Sequence, residues 1–203
     1  EVAHRINAAT PITPSALVLF GLLDNDDRAM TLGETLGLLE PFLAYVRQRR
    51  LPLTSDVDLG RPEGMRRALR TLVREGVVEE YDGGLEPVYA ITRERHHEAA
   101  FYRNTVTHYF ITRAIVEVAA VQAQEAATDP SADLTTSLWE HALAIRDLLK
   151  YEFFFATKGE FDAEIRTETA LALPDWDNDR VTAESVTSVL QASPLLLAHR
   201  VVG

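Results

Sequence analysis

The sequence predicts a mainly α-helical protein, in which a small winged-helix-like subdomain of three helices and a β-hairpin precedes a helical bundle. Three observations support this fold class. The 203 residues are 46% hydrophobic, which suits one large domain or two small ones. Residues 13–92 combine apolar residues at helical spacing with a hairpin signature, and after Arg95 the pattern is that of long helices. We therefore expect two subdomains, residues 1–92 and residues 93–203.

The first two helices are predicted from their N-terminal signals. Thr13–Pro14 begins the first helix, because threonine is a favoured N-cap and proline is favoured in the first turn. Thr31 and Glu34 have the spacing of a capping box, so the second helix begins there. Pro41 lies inside this second helix and should kink or divide it. Residues 51–61 are predicted to be a loop.

A third helix and a β-hairpin complete the first subdomain. The helix is predicted to start near Pro62 and to be closed by Gly76, with its apolar residues on one face and its arginines on the other. Residues 77–81 and 87–91 flank the turn Asp82–Gly83–Gly84, which is typical of a hairpin. Three helices followed by a hairpin is the order of a winged helix.

Long helices are predicted for the second half. The segment from about residue 96 to residue 127 is apolar nearly all round in its middle, so we expect one central helix covered on several sides. A following helix carries apolar residues from Leu138 to Leu149 at helical spacing and is succeeded by three phenylalanines. Residues 182–193 are predicted to form a last short helix.

Charge is distributed unevenly along the chain. The net charge of −11 argues against a nucleic-acid binder. Between residues 47 and 74, however, eight arginines face three acidic residues, a local excess of five positive charges. This segment is either a solvated helix face bridged to nearby acids, or a docking face for a phosphate, a lipid headgroup, an acidic carrier protein or DNA. The candidate docking residues are Arg47, Arg49, Arg50, Arg66, Arg67, Arg70 and Arg74.

The histidines give no convincing catalytic or metal site. His108 could act as a general base, but a core or interface histidine is the simpler interpretation, since no serine or acid stands at a suitable spacing. We predict that Arg103, Asn104 and His108 lie at a domain interface. His96 and His97 are adjacent, so they point in different directions on a helix and do not converge on a metal. We expect no metal and no cofactor.

Three consecutive phenylalanines form a second candidate contact region. Phe153, Phe154 and Phe155 cannot all face one side of a helix. They are flanked by Lys150 and Lys158, the only lysines of the chain. Either their surroundings are fully buried, or some of the rings are offered to a partner or a bilayer surface.

The sequence contains neither a membrane-spanning segment nor a cysteine. The longest nearly apolar run, residues 114–121, is far shorter than the roughly 20 residues of a membrane-spanning helix, so membrane contact would be at the surface. The absence of cysteine excludes disulfides and thiolate chemistry. The sequence lacks an initiator methionine, and residues 195–197 are apolar near its end, so we expect a piece of a larger protein.

Four stretches resemble a known family. They are residues 5–10 (RINAAT), 81–89 (YDGGLEPVY), 101–110 (FYRNTVTHYF) and 148–155 (LLKYEFFF). Through these stretches the sequence resembles the C-terminal region of bacterial glycerol-3-phosphate acyltransferases, especially the actinobacterial PlsB type, over nearly its whole length.

The resemblance implies an activity for the full enzyme rather than for this chain. Such enzymes acylate the sn-1 hydroxyl of glycerol 3-phosphate from acyl-CoA or acyl carrier protein, giving lysophosphatidic acid for phospholipid synthesis. Their catalytic His-x4-Asp pair lies in an upstream domain, with histidine as the general base. None of the six histidines here is followed by aspartate at that spacing. The resemblance therefore implies a non-catalytic domain that is inactive alone.

Location and partners follow from the same resemblance. We expect this domain to pack on the catalytic domain of its own enzyme, at the cytoplasmic face of the cell membrane as a peripheral protein. The local excess of positive charge between residues 47 and 74 makes acyl carrier protein and an anionic membrane surface further expected partners, whereas nucleic acid is not expected. The alternative is a transcription regulator, with residues 13–92 binding DNA through the arginine-rich third helix and the bundle binding an effector.

Overall fold

Helices dominate the computed structural model, which describes residues 10–23, 28–54, 58–126, 133–172, 181–192, 198 and 201. Within these residues the helices are accompanied by a small antiparallel sheet. The mainly helical fold class predicted from the sequence is confirmed. The chain divides between residues 107 and 108 into two compact units.

The first unit has the element order of a winged helix. The three strands pair antiparallel in the order β1–β3–β2, so that the first strand flanks the predicted hairpin. The short strand β1 was not predicted. The elements are α1 (Pro14–Leu22), β1 (Met30–Thr31), α2 (Leu32–Gln48), α3 (Pro62–Arg74), β2 (Val78–Tyr81), β3 (Val88–Ile91), a 3-10 turn (Arg93–Arg95) and α4 (His96–Thr107).

The predicted helix starts are present as hydrogen bonds. The Thr13 side chain accepts from the backbone N–H of Ala16 at 3.2 Å and caps α1. At the start of α2, the Thr31 hydroxyl accepts from the N–H of Glu34 at 3.1 Å, and the Glu34 carboxylate accepts from the N–H of Thr31 at 2.8 Å. The capping box is therefore complete.

Helix α3 ends at a glycine, as predicted. Gly76 has a φ of 72°, in the left-handed region that glycine adopts without a steric penalty. The N–H of Val77 donates to the carbonyl of Leu72, and the N–H of Gly76 donates to that of Val73, both at 3.0 Å. These two bonds form a Schellman motif that satisfies carbonyls at the end of the helix.

Helix α2 continues through Pro41. The sequence predicted a kink or a division at this residue, and the division is wrong. Proline cannot donate to the carbonyl of Gly37, four residues earlier, but both residues are exposed, so that carbonyl can bond to water. Gly37 also lacks a side chain, and space around it is open.

Helix α1 forms the centre of the first unit. All its residues from Ala16 to Leu22 are buried, because α2, α3 and α4 pack around it. Phe20 meets Phe42 of α2 edge to face, with ring centroids 5.2 Å apart. The predicted boundary between residues 92 and 93 lies within this unit, before α4.

The second unit is built around its first helix. Helix α5 (Ile111–Ala126) contacts α6 (Leu134–Leu149), α7 (Lys158–Ala172) and α8 (Ala183–Ala192), as expected for a central helix. The predicted single helix over residues 96–127 is wrong, however, because a turn at residues 108–110 separates α4 from α5. Helix α7 was not predicted as an element.

Among the described residues, the helices are either too short or too polar to cross a bilayer. Two stretches used in the sequence analysis, residues 5–9 and 195–197, lie outside the described residues.

Candidate functional site

Seven arginines form the first candidate site, which we call the arginine surface. Helix α3 buries its apolar side, including Met65, Leu69 and Leu72, and exposes four arginines on the opposite side, as predicted. Residues 66, 70 and 74 follow one another at steps of four, so they form a line roughly 12 Å long on the helix. The seven residues are Arg47, Arg49, Arg50, Arg66, Arg67, Arg70 and Arg74; Arg49 is half-buried and the others are exposed.

The end of α2 contributes to the same surface. The guanidinium of Arg47 lies against Gly60, two residues before α3 begins. Arg50 has a φ of 52°, the left-handed conformation in which glycine is usual, and Leu51 donates to the carbonyl of Val46 at 3.0 Å. This helix end thus brings Arg47 close to the start of α3.

The arginines aligned on α3 form no ion pair with an acid in the part of the chain that the structure describes. Among the ion pairs between described residues, none includes Arg66, Arg70 or Arg74. Arg61, just before the helix, does pair with Asp58 at 3.1 Å. The sequence allowed two interpretations of this segment, and one was a helix face bridged to nearby acids. The ion pairs between described residues do not support that interpretation for Arg66, Arg70 and Arg74.

The β-hairpin beside this surface is acidic. Residues 78–91, which we call the acidic wing, contain Glu79, Glu80, Asp82 and Glu86 and no basic residue. The Tyr89 hydroxyl donates to the Glu80 carboxylate at 2.9 Å.

The acidic wing and the arginine surface are neighbours in the first unit. Burial and the bond to Glu80 raise the pKa of Tyr89, while the charges of Arg66 and Arg70 act in the opposite direction. Helix α3 also packs against strand β2 of the wing. A basic helix face and an acidic hairpin border each other.

Arg103, Asn104 and His108, the predicted interface residues, are only partly brought together. Arg103 donates to the Asn104 side-chain oxygen at 3.1 Å, and both residues lie on α4. His108 lies in the turn after α4 rather than on a central helix, and its side chain is half-buried. The centroid of its ring lies 4.0 Å from the centroid of the Tyr109 ring. The interface role of the three residues stays a prediction.

The three phenylalanines point in different directions. They lie in an irregular segment after α6, where Phe153 and Phe155 are half-buried against the core of the second unit. The Phe155 ring meets Phe161 edge to face at 5.3 Å. Phe154 is 69% exposed. The sequence offered burial and exposure as alternatives for these rings. Both occur, because Phe153 and Phe155 pack on the core and Phe154 is exposed.

The flanking lysines have different surroundings. Lys158 Nζ donates to Asp147 Oδ2 at 3.1 Å, whereas Lys150 Nζ lies 5.2 Å from the ring centroid of Tyr151. Two exposed neighbours of Lys150 were missed by the sequence analysis: Leu148 is 76% exposed and Tyr151 is 87% exposed. Their spacing of three residues, continued by Phe154, was the available signal.

A buried ionic cluster was also missed. Arg113, Glu117 and Glu168 are all buried within the second unit. Arg113 Nε donates to Glu117 Oε1 at 2.8 Å, and Arg113 Nη1 lies 3.7 Å from Glu168 Oε1. This cluster is not a metal site: among the described residues, no group of three or more histidine or acidic side chains is arranged to bind a metal ion.

Comparison with known proteins places the chain in a family. Residues 1–202 match the family described as the C-terminal region of glycerol-3-phosphate acyltransferase. The chain is 37% identical over 202 residues to the putative acyltransferase plsB1 of Mycobacterium bovis and of Mycobacterium tuberculosis. The match covers 99% of this chain and 32% of each relative, so the chain spans about a third of their length. The chain belongs to the family of glycerol-3-phosphate acyltransferase C-terminal regions.

Proposed function

We propose that this chain is the non-catalytic C-terminal domain of a glycerol-3-phosphate 1-O-acyltransferase. The full enzyme would transfer an acyl group from acyl-CoA or acyl carrier protein to glycerol 3-phosphate, giving lysophosphatidic acid for phospholipid biosynthesis. Family membership supports this assignment. The sequence carries no His-x4-Asp pair, so the general base belongs to the part of the enzyme outside this chain.

The domain would work as a partner of the catalytic domain in the same polypeptide. Arg103, Asn104 and His108 are the residues that we assign to this contact. The enzyme would be a peripheral protein at the cytoplasmic face of the cell membrane, where its acyl product enters the bilayer.

The arginine surface would dock the acyl carrier protein. The single observation that carries this role is the line of exposed arginines on α3 that lack ion-pair partners among the described residues. An acidic helix lying along this line would meet three positive charges within roughly 12 Å. Since the Debye length at physiological salt is about 8 Å, the attraction acts at close range and weakens as salt is added.

The acidic wing disfavours the alternative of a DNA-binding regulator. In a winged helix that docks its third helix in the major groove, the hairpin comes close to the phosphate backbone. Here the hairpin contributes four carboxylates and no cation. Repulsion from these groups adds to that of the net charge of −11.

Charge reversal of the arginine surface tests the docking role in the full enzyme. The variant R66E/R70E/R74E should raise the KM for acyl carrier protein by about tenfold or more, and the KM for acyl-CoA much less. The matched control is R66K/R70K/R74K, which keeps the charges at the same positions and should retain most of the affinity for the carrier.

Two results would contradict the proposal. An unchanged KM for the carrier in the glutamate variant, with unchanged binding to anionic liposomes, would remove the docking role. Salt-sensitive binding of the chain to duplex DNA would instead support the regulator.

A further inference from the structure

We propose that Leu148, Tyr151 and Phe154 form an apolar ridge that inserts into the interfacial region of a phospholipid bilayer. This inference rests on the proposed function, because it gives a lipid-synthesising enzyme a specific contact with the membrane. The three side chains are 76%, 87% and 69% exposed, respectively. They follow one another at steps of three residues, and the largest apolar patch of a monomer is often a functional contact.

The segment that carries Phe154 is fixed by contacts with the core of the second unit. Phe153 and Phe155, on either side of Phe154, pack on the core of the second unit. Arg146 Nη2 donates to the carbonyl of Ala156 at 2.8 Å, and the Arg146 guanidinium carbon lies 5.2 Å from the centroid of the Phe161 ring. Because this segment is already fixed, little conformational entropy would be lost when Phe154 inserts into the bilayer.

The exposed area argues for a bilayer rather than a stable interface with a separate protein. At about 200 Å² for a large side chain, the ridge exposes roughly 400–500 Å². A stable protein interface buries about 800 Å² on each partner, which is well above what the ridge offers. Insertion of a few apolar side chains into a bilayer surface has no such minimum area, since the contact strengthens with each group that is buried.

The charges around the ridge fit phospholipid headgroups. Lys150 lies over the Tyr151 ring at 5.2 Å, so its ammonium group sits at the level of the aromatic ring, where it can reach a phosphate. Asp147 and Lys158 neutralise each other at 3.1 Å, and Glu152 is exposed. The surroundings are thus nearly neutral, which suits zwitterionic headgroups. Tyrosine and flanking lysine are typical of the bilayer interface.

A tryptophan placed on the ridge reports this contact directly. The full enzyme carrying Phe154→Trp should show, relative to the parent, tryptophan emission that shifts to the blue with phosphatidylcholine vesicles and is quenched by brominated phosphatidylcholine. Adding phosphatidylglycerol should change the result little. The matched control is Phe101→Trp, because Phe101 is also 69% exposed but lies on α4 in the first unit. Its emission should not respond.

A second variant separates insertion from folding. L148E/F154E should reduce partitioning of the full enzyme to phosphatidylcholine vesicles by about tenfold or more. Its melting temperature should not change, because both side chains are exposed. Acyl transfer between dissolved short-chain substrates should also continue.

Three results would overturn the ridge. The F154W emission could already be blue-shifted without lipid and insensitive to brominated lipid, which would mean that the rest of the polypeptide covers the ridge. The enzyme could bind vesicles with no quenching of that tryptophan, or L148E/F154E could bind vesicles as the parent does. If brominated lipid quenches the F154W emission but the enzyme has no acyltransferase activity, the membrane contact is supported and only the proposed function is contradicted.

Discussion

Arg113 and Glu117 form a buried ion pair one turn apart on α5. Arg113 Nε donates to Glu117 Oε1 at 2.8 Å, and the two side chains are only 9% and 0% exposed. The second oxygen of Glu117 accepts from the backbone N–H of Ala198 at 3.2 Å. One carboxylate therefore satisfies a buried guanidinium and a buried backbone donor far away in the sequence.

Removing this carboxylate should destabilise the fold strongly. Glu117→Ala leaves the Arg113 charge without its nearest partner and removes the acceptor for Ala198. We expect a loss of about 3 kcal/mol in the free energy of unfolding, measured with urea. Arg28→Ala is the control, because the Arg28–Glu34 pair has the same 2.8 Å distance but is 63% and 42% exposed. That change should cost less than about 1 kcal/mol. A small loss for Glu117→Ala would mean that the buried pair contributes little.

Gly64 should not tolerate a side chain. A β-carbon at Gly64 would lie 1.9 Å from the carbonyl oxygen of Asp58, so the chain before α3 would have to move. We expect Gly64→Ala to lower the free energy of unfolding by about 2 kcal/mol or more. Gly37→Ala is the matched control within a helix, because nothing surrounds that position. It should raise stability by about 0.5–1 kcal/mol in the same urea titration, and equal effects of the two changes would contradict the packing at Gly64.

The capping box at Thr31 should give a pH-dependent stability. Hydrogen bonds from the backbone and side chain of Thr31, and then the charge of Arg28, hold the pKa of Glu34 below its ordinary value of 4.5. A lowered pKa in the folded state means that the contribution is full above pH 4.5 and is lost as the pH falls through the lowered pKa.

The corresponding measurement compares the parent with Glu34→Ala over a range of acidic pH. The difference in their free energy of unfolding should be constant near neutrality and should shrink as the pH is lowered. A difference independent of pH would show that the charge of Glu34 does not contribute. A difference that grows in acid would have the wrong sign for this capping interaction.

The first three helices could be predicted because their signals are local. Caps at Thr13 and Thr31 and a left-handed glycine at Gly76 act within one helical turn. Strand β1 could not be predicted, since it is defined by the pairing of Met30 and Thr31 with Tyr89 and Val88, which lie far away in the sequence. Helix α7 was missed because it turns the polar residues Glu168 and Thr169 into the core, which hides its apolar stripe.

The candidate sites were predictable to different degrees. Helical periodicity alone placed Arg66, Arg70 and Arg74 on the exposed side of α3. The directions of Phe153 and Phe154 depend instead on a non-helical segment, which is fixed by the hydrogen bond from Arg146 to the carbonyl of Ala156. No periodicity in the sequence carries that information.

Helix α4 has a practical consequence for anyone who divides this polypeptide. It covers one side of α1, whose residues are buried all round. A truncation after residue 92 would remove α4, uncover the apolar side of α1 that packs against it and invite aggregation, whereas one that retains residues up to 107 keeps α4 in place. The boundary between residues 107 and 108, inside the recognisable stretch 101–110, thus marks where the chain can be cut.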